Sequence, residues 1–143
     1  MLKIFSLFMG CFLMFSTMGG CQVKERPIKR GEPCAHCKMP ISDIKFAAEI
    51  ITKKGKIYVY DDITCAAKMI KSAQLENNNI KDIFVSNFYN EAELLNTKSA
   101  LYLSSEKFRS PMNGNIAAFK NKADMDKAAK EFSGDVITLD KIF

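Results

Sequence analysis

Hydrophobic positions beyond residue 40 fall into short runs that recur in the same order twice. Residues 46–51 read as a strand, and residues 52–56 as a hairpin turn built round Gly55. Residues 57–60 (Ile-Tyr-Val-Tyr) then read as a second strand of β-branched and aromatic residues. Asp61 or Asp62 can cap a following helix, in which Ile63, Ala66, Ile70 and Ala73 share a face with Cys65 and Met69 beside it. The asparagine run 77–79 leads to a third strand at 83–86, and a polar connection follows. The order then begins again with a strand at 100–104, a long loop at 105–115 and a paired strand at 116–119. Met125, Ala128, Ala129 and Phe132 are spaced as one helical face, Gly134 sits at the helix C-terminus, and residues 136–139 close the unit.

Each unit is thus strand, strand, helix, strand. A unit of about 45 residues buries little apolar surface alone, so the two should pack against one another, either as two small subdomains or as one α+β layer. The boundaries expected are residues 34–143 for that domain, with repeat one at about 34–90 and repeat two at about 99–143.

The first twenty residues follow a different pattern. Lys3 precedes an almost continuous apolar run from Ile4 to Met18, shorter than the ~20 residues that span a bilayer. This reads as an export signal. Met18-Gly19-Gly20-Cys21 resembles a lipobox, in which the cysteine is acylated and becomes the mature N-terminus. Residues 21–33, polar, basic and proline-containing, read as lipid anchor and tether. The expectation is a lipoprotein anchored in a membrane and facing the periplasm or cell exterior.

Charge adds an exclusion. The net charge of +5 drops to +4 without Lys3, and the positive residues are scattered apart from the run at 24–30. That is no nucleic-acid footprint, and a basic tail beside a membrane suits anionic headgroups instead.

Export reframes the five cysteines. Cys11 leaves with the signal and Cys21 is committed to lipid, so Cys34, Cys37 and Cys65 remain, an odd number. Cys65, in the first helical pattern, reads as a small buried hydrophobe. Cys34-Ala35-His36-Cys37-Lys38-Met39 packs two thiols, the sole histidine and a thioether into six residues. Donors this soft suit a thiophilic ion such as Cu(I), and a Cys34–Cys37 disulfide is the alternative. Thiol-disulfide oxidoreductases place the first cysteine at a helix N-terminus, whereas Pro40 and strand-like residues follow here. Closed structural zinc takes four ligands, more than one histidine and few spare thiols supply.

The long loop of the second unit carries Ser110-Pro111-Met112-Asn113-Gly114, a methionine in a polar turn with no core to fill. Met39 and Met112 precede or interrupt the paired strands of their own units. The repeat could therefore bring them to one edge, with a thiolate, as a Cu(I) site.

These motifs together resemble the NosL family, copper-binding lipoproteins that accompany nitrous-oxide reductase. The resemblance spans nearly the whole chain. It rests on the lipobox at Cys21, Cys34-x-x-Cys37-x-Met39-x-Ile41, Tyr60-Asp61-Asp62-Ile63 leading into Cys65, Ala100-x-Tyr102-Leu103, Ser110-Pro111-Met112, Ala118-Phe119 and Gly134-Asp135-Val136. It implies a tandem ββαβ fold similar to organomercurial lyase and a Cu(I) chaperone with no catalysis of its own. The copper would serve the copper-sulfide centre of nitrous-oxide reductase, with a membrane transporter complex as docking partner. By the same resemblance Cys37 and Met39 are ligands of first choice, Met112 the third, and Cys34 and His36 supporting donors. Lys38 stands where the family often has glycine, and Asn113 separates Met112 from a glycine that often follows directly. A general envelope binder of copper or heavy metals fits the same residues.

Overall fold

A computed structural model describes residues 23–143; the expected export signal and lipidation at Cys21 fall outside the described residues. One sheet organises the domain. Strands β1 (Ala48–Thr52) and β2 (Ile57–Tyr60) form the expected hairpin, with Gly55 at φ +80° in its turn. Helix α1 (Ile63–Lys71) follows, and β3 (Ile80–Asn87) returns to pair with β1 antiparallel. The second unit repeats this with β5 (Leu101–Ser104), β6 (Ile116–Phe119), α2 (Lys122–Phe132) and β7 (Asp135–Ile137). Strand β4 (Asn90–Asn96) pairs with β3, and a final turn of helix, α3 (Leu139–Ile142), ends the chain.

The strand order is β2-β1-β3-β6-β5-β7, with β4 attached to β3 off this path. The two units therefore share a single sheet, joined where Asn87 of β3 meets Ala118 of β6 in parallel register. Phe88 N–H donates to the Ala118 carbonyl at 2.9 Å across the same joint.

Alternation along β6 explains why all four of its residues are buried. Ile116 and Ala118 pack in one cluster with Ile63, Cys65 and Ala66 of α1, whereas Ala117 and Phe119 pack with Met125 and Ala128 of α2. Successive strand residues point to opposite faces, so the two helices cover opposite sides of the sheet. Such a doubly covered strand reads as a continuous apolar run.

Four details differ from the sequence expectation. Residues 44–46 form a single 3₁₀ turn capped by Asp43, so β1 starts at Ala48. The polar connection contains β4, whose Asn- and Glu-rich sequence carries little strand preference and depends on its ladder with β3. The left-handed residue ending α2 is Ser133 (φ 53°), not Gly134. Gly134 sits in a tight place: a Cβ there would lie 3.3 Å from the Ser104 carbonyl oxygen, so β5 would have to give by a few tenths of an ångström. The closing strand stops at Ile137, and helical turn α3 buries Ile142 instead.

The stretch read as a tether is docked from residue 23 onward. Ile28 is buried with Ile41, Ala47 and Val59. Arg26 N–H donates to Glu49 Oε1 at 3.2 Å, and the Arg26 guanidinium pairs with Glu32. Glu49 is fully buried, and burial raises its carboxyl to about 6. Its second oxygen has no hydrogen-bond partner among the described residues.

Candidate metal centre

The motif 34–39 is a turn, not a helix. Cys34 N–H donates to the Met39 carbonyl at 2.8 Å, and Lys38 N–H donates to the Cys34 carbonyl at 3.0 Å. Lys38 occupies the left-handed region at φ 66°. That conformation favours glycine, which gives a physical reason for glycine at this place in the family pattern. Two contacts hold the turn to the sheet. Ala35 N–H donates to the Val59 carbonyl of β2 at 2.8 Å, and Ser42 N–H donates to the buried Asp61 carboxylate at 2.8 Å.

Cys65 enters from the first turn of α1. Asp62 caps that helix, its Oδ1 accepting Thr64 N–H at 2.9 Å and Thr64 O–H at 2.8 Å. Cys65 therefore faces the turn 34–39, and the Sγ atoms of Cys34, Cys37 and Cys65 all lie within 4.8 Å of one another. All three are free thiols. Cys34 and Cys65 are fully buried, and Cys37 is half-buried.

The three thiols differ electrostatically. Cys34 is held well below the ordinary thiol range, chiefly by a hydrogen bond from Cys65, with further support from the backbone at Asp61, Cys37 and His36. Cys65 is pushed up, first because its S–H donates a hydrogen bond to Cys34 and then by burial. Cys37 is raised by burial. One thiolate is thus stabilised by the fold, and two thiols stand beside it still protonated. Tyr60, buried in the same cluster, has its phenol raised by burial and then by the Cys34 charge, so it stays neutral.

Met112 reaches this region from the second unit. Asp62 Oδ2 accepts Ser110 O–H at 2.5 Å and Met112 N–H at 3.2 Å, so one buried carboxylate ties the Met112 loop to the helix carrying Cys65. Met112 and Cys37 pack against the apolar cluster that contains Cys34 and Cys65. Asn113 (φ 53°) supplies the left-handed backbone where the family's glycine often stands. Gly114 presses so closely on α1 that a Cβ would lie 2.4 Å from Thr64 Cγ2 and 2.5 Å from Asp62 Oδ1. Gly114→Ala is expected to displace the loop and destabilise the domain by roughly 2 kcal/mol, read as a lowered urea midpoint at unchanged m-value.

The other sequence candidates are placed differently. Met39 is 55% exposed and lies outside the apolar cluster. His36 is half-buried and does not belong to the group of mutually close donors. The member missed in the sequence is Cys65. Its signal was the odd thiol, since a third cysteine following an Asp-Asp cap was available to the other two.

Three sulfurs round one ion, at metal–sulfur distances of ~2.3 Å, stand about 4 Å apart, and the observed spacing fits. The fold and site define an α+β sheet protein with a soft, sulfur-rich candidate metal centre. The NosL family model matches residues 25–143, and the chain belongs to the NosL family. Its fold is similar to the crystal structure of the copper chaperone NosL from Shewanella denitrificans. The TM-score is 0.72 at 17% sequence identity, over 84% of this chain and 96% of that one. No curated protein matches the chain.

Proposed function

We propose that this protein is a Cu(I) chaperone, a lipoprotein that supplies copper for the copper-sulfide centre of nitrous-oxide reductase. The observation that carries the copper reading is the cluster of three free thiols, drawn from the turn 34–39 and from α1; Met112 packs against the apolar cluster that contains Cys34 and Cys65. Thiolates and thioethers favour Cu(I) over harder ions. Membership of the NosL family and the fold shared with a copper chaperone support the same reading. The acceptor enzyme and its membrane transporter complex come from the family resemblance.

The cargo ion meets Cys37 first, because it is the thiol with access to solvent. Cys34 supplies the ready thiolate, and Cys65 closes the site from below on losing its proton. Met112 adds a neutral thioether, which is exchangeable. Release is stepwise ligand exchange, in which each metal–sulfur bond to this protein is replaced by one to the acceptor, with no redox change and no covalent bond of either protein altered. Met39, on the surface, serves as an entry or exit donor in this scheme. His36 holds its backbone against Cys34.

The oxidoreductase reading is disfavoured by burial. The low-pKa thiol is Cys34, which is inaccessible and lies in a turn, not at a helix N-terminus. The sulfur cluster would also accept heavier thiophilic ions, which keeps a general envelope metal binder as the second reading.

Cys37→Ser is expected to lower Cu(I) affinity steeply, and Met112→Ala by roughly tenfold, in competition with a Cu(I) chelator. Both variants matching the parent would sink the site. Copper loading of apo nitrous-oxide reductase with and without the protein tests the acceptor. Equal loading in both arms would leave only the general binder.

A further inference from the structure

The docked N-terminal arm ends against the β1–β2 turn. Val23 Cγ2 lies 3.0 Å from where a Cβ on Gly55 would stand, and Lys81 donates through Nζ to the Val23 carbonyl at 3.2 Å. Lys53 N–H in the same turn donates to the Asn79 carbonyl at 2.8 Å, which brings the chain just before Lys81 alongside. The exposed side chains of Lys24, Lys53, Lys54, Lys56 and Lys81 therefore surround the point where residues 1–22 join the domain.

These lysines hold no carboxylate, although Lys81 donates to the Val23 carbonyl and Lys56 lies over the Tyr58 ring. The tail's two arginines are occupied, Arg26 by Glu32 and Arg30 by Glu91. Among the described residues none of the five lysines is ion-paired, whereas Lys120 and Lys122 each hold a carboxylate. Glu25 and Asp82 adjoin Lys24 and Lys81 in the chain, and Glu76 stands at the start of the asparagine run; the three leave the five lysines net positive.

We propose that this lysine face rests on a membrane surface carrying anionic headgroups, with the thiol cluster held at the far end of the β1–β2 hairpin. The inference relies on reading residues 1–21 as export signal and lipid anchor, and not on the identity of the cargo. An anchor at residue 21 leaves little chain between bilayer and domain, so the face around Val23 is the one brought within the few ångströms over which lysine attraction acts. The cluster is pinned to β2 through Val59, three residues beyond Lys56, about 10 Å along the strand. The half-buried Cys37, the member of the cluster with access to solvent, then lies toward the aqueous side, where a water-soluble acceptor can approach it.

The test uses the full, lipidated protein reconstituted into phosphatidylcholine vesicles with and without phosphatidylglycerol. Amine acetylation read by mass spectrometry is the measure. Labelling of the five lysines is expected to fall several-fold in the anionic vesicles relative to Lys122, Lys127 and Lys130 of α2, and to recover in high salt. The triple variant Lys53→Glu, Lys54→Glu, Lys56→Glu is expected to label Lys24 and Lys81 equally in both vesicles. Flotation with the vesicles but uniform labelling would overturn the surface and leave the anchor standing. Failure to float with either vesicle would overturn the anchor reading and the surface together. Neither result touches Cu(I) binding, which is measured separately.

Discussion

Cys34→Ser and Cys65→Ser are each expected to lower Cu(I) affinity by at least about 100-fold, since loss of a group merely supporting a ligand already costs 10–100-fold. The two variants should differ in their pH dependence. Cys34 has a folded pKa below the ordinary thiol range, so it brings a charge and no proton to the complex at neutral pH. Cys37 and Cys65 are raised, so each must lose a proton as the ion binds. The logarithm of affinity for the parent is therefore expected to rise by up to about two per pH unit through neutrality. Cys65→Ser should reduce that slope by about one, while Cys34→Ser leaves it nearly unchanged. Proton release on Cu(I) addition, followed with an indicator dye in weak buffer, measures this directly. Equal slopes for parent and both variants would remove Cys65 from the ligand set.

The same shifts have a sign for stability without metal. A depressed pKa at Cys34 contributes folding stability that is present above the unfolded thiol pKa and lost as pH falls through the folded value. The raised Cys37 and Cys65 act in the other sense: their contribution is present below the unfolded thiol pKa and lost as pH rises through their folded values. Urea unfolding of the thiol form should therefore show opposite slopes at acid and alkaline pH.

Asp62→Ala is expected to be the most damaging substitution outside the thiols. The carboxylate is fully buried and accepts from Thr64 twice, from Ser110 and from Met112 N–H. Removing the helix cap costs about 1 kcal/mol, and each buried donor left unpaired costs about 1–3 kcal/mol more. A loss of roughly 3–4 kcal/mol is a large part of the 5–15 kcal/mol that stabilises a typical domain. The thermal midpoint should fall by more than about 10 °C in calorimetry. Cu(I) affinity should fall too, because the Met112 loop is no longer tied to the helix bearing Cys65. Asp62→Asn keeps the cap oxygen but turns an amide NH₂ toward the Ser110 and Met112 donors, so it is expected to retain the helix cap while still losing the tie to the Met112 loop. A midpoint unchanged in Asp62→Ala would show that this carboxylate does not join the two units.

Much of this architecture was legible because it rests on local chemistry. Tyr60-Asp61-Asp62 announces the end of a strand and the start of a helix, since an aspartate can satisfy the first free N–H groups and aromatic residues suit a covered sheet. Ile116-Ala-Ala-Phe119 could be placed as a strand for the same reason. What could not be read was β4, whose residues acquire their conformation from β3, or the docking of Arg26 and Ile28 beneath residues far along the chain. Met39 shows the limit from the other side. Its softness and its place beside Cys37 make it a ligand candidate on paper, and only the structure showed that it stands at the surface.

By itself the sequence determined the two ββαβ units, the soft-donor turn from Cys34 to Met39, and the polar loop that displays Met112, because each depends on spacing within a few residues. Only the tertiary structure decided that the units share one sheet and that Cys65 belongs with Cys34 and Cys37. It also decided that Asp62 fastens the Met112 loop to that cluster. Those outcomes depend on distances between residues 28 to 50 positions apart, and burial across the sheet, not local preference, sets such distances.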